Sequence, residues 1–239
     1  MRIDSSFYQK YVLSNLKGEY IVYDLNQRIT FASSGALNQK FTVGPTLFPY
    51  ISLIAIESGA VRSDDQECIR MLKNEGVNFS AVLQRQTDYF IQLMELIGKD
   101  KLSTWLSKIN FGHLEKETFN GFPYLNNCLK ISLEEQLLVL KSLYFFNLPF
   151  SYQSMIEVKK IFQLKRIGEK ELHFFEASGV GQTWLMGWFT LKKQTCFFVQ
   201  QTEIMDDKST SFRTPFQLLG DLLYRLGYIE SEECTQLGF

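Results

Sequence analysis

The run KFTVGPTLFPYISLIAIESGAV, Lys40 to Val61, limits what this chain can fold into more than any other stretch. Pro49 fixes its own φ and carries no N–H, so a helix through this point starts close to it, after a rigid turn set by Pro45. From there Ile51, Leu53, Ile54, Ala55 and Ile56 leave little polar face, and Ser58-Gly59 supplies a stop. A helix that is apolar nearly all round has to be surrounded by protein, so it is central.

The flanking segments say what surrounds it. GEYIVYDLNQRITFAS has two apolar runs separated by DLNQ, the pattern of a β-hairpin at a sheet edge. TDYFIQLMELIG and LSTWLSKI carry apolar residues at helical spacing, and in SLEEQLLVLKSLYFFN a capping box is predicted from Ser132 and Glu135, with Pro149 closing that helix. ELHFFEASG, TWLMGWFTL and TCFFVQQTEI then read as consecutive antiparallel strands, and PFQLLGDLLYRLGYI as a terminal helix with Pro215 in its first turn. Strands at both ends of a helical middle predict an α+β fold whose sheet is closed by the N- and C-terminal segments. No internal repeat, low-complexity segment or flexible linker interrupts it.

Composition removes several function classes. The chain has 239 residues, and 25 Lys and Arg against 26 Asp and Glu leave no field to attract nucleic acid or an anionic surface. Cys68, Cys128, Cys196 and Cys234 match neither zinc nor redox spacing, and with His113 and His173 as the two histidines no metal site and no cofactor motif is read. Cys128, in an apolar context, reads as a buried thiol. No run reaches the roughly 20 apolar residues of a membrane span. MRIDSSFYQKYVLSNL lacks an apolar signal core, which predicts a cytoplasmic protein if Met1 is the native start, and an exported one with its signal removed otherwise.

Several strings, taken in order, carry a family resemblance: SLIAIESGAV, YFIQLMELIG, WLSKINFGH, LKISLEEQLLVLKSLYFFNLPFS and WLMGWFTL. From about Tyr20 to Ile229 the chain resembles the class D (oxacillinase-type) serine β-lactamases and the related penicillin-sensor domains. The resemblance implies one β-lactamase-like domain over 1–239, an antiparallel sheet flanked by N- and C-terminal helices, and a mainly helical subdomain at about 62–150.

The same comparison departs at the chemistry. The family's S-x-x-K supplies a nucleophilic serine and a lysine base, and these positions fall on Pro45 and Phe48, which can be neither. S-x-V falls on Arg85-Gln86-Thr87, and Y-G-N on Phe111-Gly112-His113. K-T-G falls on Glu176-Ala177-Ser178 or, one residue later, on Ala177-Ser178-Gly179; neither register supplies the lysine. Tyr124 stands where the family has a tryptophan over its lysine, and Arg213 in TSFR stands where the family has an arginine for the substrate carboxylate.

The resemblance thus implies no catalytic set, and the expectation is an inactive member of the fold that acts by binding an unidentified protein partner. Two other readings stand beside it. A small carboxylate ligand, β-lactam or peptidoglycan-like, would be held noncovalently by Arg213 and Arg85. A rebuilt active site would use His113 as a base with Glu176 or Ser178.

Overall fold

The computed structural model describes residues 2–3, 18–33, 38–61, 89–123, 127–179, 182–203 and 215–236. The chain forms two compact units, one from residues 1–37 with 164–239 and the other from Asn38–Gln163. The expected helical stretch at 62–150 falls within the second unit, and the fold is α+β as the sequence predicts.

The first unit is built on a seven-stranded sheet in the order β1-β3-β2-β10-β9-β8-β7. Its strands are β1 (Arg2–Ile3), β2 (Gly18–Asp24), β3 (Ile29–Ala32), β7 (Gln163–Ile167), β8 (Lys170–Gly179), β9 (Gln182–Leu191) and β10 (Gln194–Glu203). The ladders β3-β2-β10-β9-β8 are antiparallel, and the two-residue β1 adds to β3 in parallel. The β2–β3 turn forms at DLNQ as expected, because the Asp24 carboxylate accepts the N–H groups of Asn26 and Gln27, both at 2.8 Å.

Gly187 lies where β8 and β9 approach closely: a Cβ there would stand 2.0 Å from the His173 carbonyl oxygen. The glycine of WLMGWFTL therefore has a steric cause.

Helix α5 (Pro215–Arg225) lays Leu219, Leu222 and Leu223 on one face of this sheet, against Leu172, Phe174, Leu185, Phe189, Cys196 and Phe198. At roughly 2 kcal/mol for each fully buried apolar side chain, that layer is the main source of the unit's stability. Polar latches fix its C-terminal end. The Tyr228 hydroxyl donates to the buried Asp24 carboxylate, and Lys170 pairs with Glu233 of α6 (Ser231–Gln236). An N-terminal helix over the sheet would fall in 4–17, outside the described residues.

The second unit is built around the apolar helix. Residues Gly44–Leu47 form a 3-10 turn, and α1 runs Phe48–Glu57 with Pro49 in its first turn. Every residue from Phe48 to Ala55 is buried, as expected of a helix without a polar face. Around it stand helical residues 89–97, α2 (Lys99–Lys108), α3 (Leu133–Tyr144), α4 (Tyr152–Lys159) and a small sheet in the order β4-β6-β5. The strands of that sheet are β4 (Phe41–Thr42), β5 (His113–Leu114) and β6 (Leu129–Ile131).

Ser132 and Glu135 form the predicted capping box of α3. The other end of α3 departs from expectation. It stops at Tyr144, before Pro149 is reached, because Phe146 turns left-handed (φ 57°) and the chain closes on itself: Phe146 N–H donates to the Leu143 carbonyl and Asn147 N–H to that of Ser142. Among the described residues no helix is long and apolar enough to cross a membrane.

Candidate functional site

The site that the sequence marks begins at the turn before α1. Pro45 lies in the 3-10 turn, and Phe48 is the first residue of the helix. Phe48 is 2% exposed, and its ring stacks on that of Phe90 with centroids 3.8 Å apart and planes at 18°. Such a stack adds about 1 kcal/mol to the burial of two aromatic rings. A base must meet water or substrate, and this position is closed to solvent and meets the Phe90 ring.

Thr46, the nearest hydroxyl to Pro45, is fully buried. One turn into the helix the Ser52 hydroxyl is also buried, and it donates to the Phe48 carbonyl at 3.0 Å. Neither hydroxyl is placed where an incoming carbonyl carbon could reach it.

Deeper in the unit, Tyr50 packs on Phe111 with centroids 4.7 Å apart, and the Gln136 amide donates to its hydroxyl oxygen at 3.2 Å. Burial pushes the Tyr50 hydroxyl well above the usual phenol range, and the Gln136 bond offsets this only in part, so Tyr50 is a neutral phenol. Phe111, at the tyrosine of Y-G-N, is buried with it.

Gly112 has φ +66°, and a Cβ there would stand 2.3 Å from the Lys130 carbonyl oxygen. The glycine of that motif is thus required by the β5–β6 approach. His113 follows at an exposed position of β5, opposite Lys130, whose ammonium is 2.8 Å from the Glu115 carboxylate. Cys128 is buried, and burial pushes its thiol up, so it is a packed thiol as read from the sequence.

In the first unit, β8 pairs with β9 without a bulge from Lys170 to Gly179, so its side chains alternate strictly. Leu172 and Phe174 face α5, and Glu176, opposite Leu185, shares that face; burial raises its carboxyl. Ala177, opposite Trp184, lies on the other face. Of the two K-T-G registers, the one beginning at Ala177 places its first side chain away from α5. Glu176 belongs instead to the layer that α5 covers.

Arg85, Thr87, Tyr124 and Arg213 lie outside the described residues, as do the side chains of Pro45 and Ser178. Among the described residues, no group of three or more His, Cys, Asp or Glu side chains is arranged to hold a metal ion. Sequence reasoning did not find Phe90. Phe90, Leu93, Met94 and Ile97 are all buried at helical spacing, so periodicity marked them as core, but it carries no sign that Phe90 meets Phe48.

No family model matches the chain. Among curated proteins it is similar to the β-lactamase OXA-20 of Pseudomonas aeruginosa, 28% identical over 179 residues, 68% of this chain and 66% of that enzyme. It is 25% identical to the regulatory protein BlaR1 of Bacillus licheniformis over 208 residues, 81% of this chain and 34% of BlaR1. The chain thus matches a little under two thirds of the first and about a third of the second.

Among solved structures, FUS-1 (OXA-85), a class D β-lactamase from Fusobacterium nucleatum subsp. polymorphum, superposes with a TM-score of 0.78 at 22% identity, covering 96% of this chain and 100% of that one. In sequence the chain is similar to OXA-type β-lactamases, and its fold is that of the class D β-lactamases.

Proposed function

We propose that this chain is a catalytically inactive relative of the class D β-lactamases that acts through contact with another protein. The observation that carries this reading is Phe48. Acyl transfer needs a nucleophile and a base within hydrogen-bond reach of it. The residue at the base position is a phenylalanine, 2% exposed and stacked on Phe90, and the residue at the nucleophile position is a proline. A polar side chain introduced at Phe48 would enter a space already filled by carbon.

The relatives include a regulatory protein as well as hydrolases, so the same fold accompanies functions other than turnover. The test is incubation with benzylpenicillin and with a chromogenic cephalosporin, followed by intact-mass measurement and absorbance. The expected result is an unchanged protein mass and hydrolysis at the rate of buffer alone. A stable adduct on any residue would overturn the reading.

A further inference from the structure

A groove of about 370 Å³ runs between the end of α1 and the outer side of α2, lined by Ser58, Asp100, Lys101, Thr104, Trp105 and Lys108. Its form follows from the α2 sequence, KDKLSTWLSK. Leu102 and Leu106 are buried, which turns Lys101, Thr104 and Lys108 outward and leaves Trp105 half-buried between the two sides. Phe150 stacks on one face of the Trp105 ring, with centroids 4.7 Å apart and planes at 16°, and this holds the indole in a fixed orientation. The Lys108 ammonium stands over the ring, 4.3 Å from its centre.

Two ammonium groups and a held indole meet in this groove. Lys40, Lys130, Lys160, Lys170 and Lys192 each pair with a glutamate. Lys101 and Lys108 pair with no carboxylate among the described residues, and both are exposed. They are seven residues apart, hence about 10 Å along the helix. Asp100 is the one carboxylate in the lining; it sits in the first turn of α2, where the helix dipole favours it, and it makes the Lys101 end less positive than the Lys108 end.

We infer that this groove docks an acidic segment of a partner protein, with two carboxylates on Lys101 and Lys108 and an aliphatic side chain between them against the edge of Trp105. An extended chain rises about 3.3 Å per residue, so the two acidic residues are three or four positions apart. The inference deepens the proposed function and rests on it, since it names the kind of partner. Charge complementarity selects the occupant: the groove offers two free ammonium groups and an indole to a segment that brings carboxylates and one apolar group.

Indole fluorescence supplies a local readout, because Trp184 and Trp188 are buried in the sheet and Trp105 is the remaining tryptophan of the three. The probe is a short synthetic peptide with Glu-Ala-Leu-Glu at its centre among neutral polar residues, titrated at low ionic strength. A second peptide with Gln in place of both Glu is the control. We expect a saturable change for the first peptide and none for the second, with the response lost in W105F. K101E and K108E should each weaken binding at least about fivefold and the double variant should abolish it, whereas D100N should tighten it about twofold. Thermal melting of each variant checks that the fold is intact.

No saturable change, equal binding of the Gln peptide, or charge reversal without effect would each overturn the proposal. So would heparin, if it bound tighter than the peptide and displaced it, since the groove would then be a general polyanion site. Acylation of the chain by a penicillin would sink the inactive reading while leaving this titration as it is, so the two failures are distinguishable.

Discussion

Gly187 and Phe48 both stand at positions where the family has a motif, and the resemblance holds at one and fails at the other. At Gly187 an added Cβ would stand 2.0 Å from the His173 carbonyl oxygen, an atom fixed by the β8–β9 ladder. At Phe48 an entire aromatic ring is accommodated against Phe90. The difference lies in what each position must satisfy. A glycine between two backbones is demanded by geometry that every copy of this sheet has to reproduce. A catalytic base is demanded by a reaction alone, and without the reaction the same position can be filled as core. The chain thus keeps the glycine that the scaffold needs at a place apart from where it departs from S-x-x-K.

The most severe way to break this comparison is to put the S-x-x-K side chains back. Phe48→Lys removes one ring of the Phe48–Phe90 stack and brings an ammonium into a buried position against the Phe90 ring. We expect a loss of about 4 kcal/mol or more by chemical denaturation, from the lost aromatic packing and the buried charge together. Adding Pro45→Ser should give no penicillin turnover. Efficient hydrolysis by a well-folded double variant would mean that the surrounding groups are far more competent than Phe48 indicates. The complementary test is Gly187→Ala, which adds one carbon where the opposing atom is backbone. The ladder has to part or bend, at a cost of about 3 kcal/mol in unfolding free energy, read by chemical denaturation. A near-neutral Gly187→Ala would show that the sheet is looser than its register implies.

Much of this contrast was legible in the sequence, and the rest was not for identifiable reasons. Pro49 and the unbroken apolar run fixed the start and the central place of α1 because both act locally. DLNQ marked the β2–β3 turn for the same reason, through the Asp24 side chain. The Phe48–Phe90 stack joins residues 42 positions apart, and no pattern in either segment names the other.

Glu176 was hard to place because LHFFEA mixes polar and apolar residues on both faces, so no alternation shows which side is which; the register with β9 shows it. Pro149 is a strong stop signal, but the chain had already closed at Phe146, an aromatic in a conformation usually left to glycine. Turns that depend on φ at a residue other than glycine are written weakly in sequence.

The smallest expected effect sharpens the comparison within α1 itself, whose first residue is held by carbon and whose last is held by charge. Glu57 accepts the Ser151 N–H at 3.1 Å and the Ser154 hydroxyl at 2.8 Å, so its carboxylate caps the start of α4. Burial pushes this carboxyl up, but the bonds from Ser151 and Ser154 together outweigh it, and the net pKa lies below the usual carboxylate range. A group whose folded pKa is depressed contributes stability above its unfolded pKa and loses that contribution as pH falls through the folded one. Glu57→Gln should therefore cost about 1 kcal/mol at neutral pH, and the difference from the unmodified protein should shrink as pH drops below about 4. The Phe48–Phe90 contact has no titratable atom, so Phe48→Leu should give a deficit that stays level over the same range. Melting both variants at neutral and acid pH checks the pair, and a Glu57→Gln deficit that did not change with pH would show that the carboxylate acts there by shape, as the ring does, and not by charge.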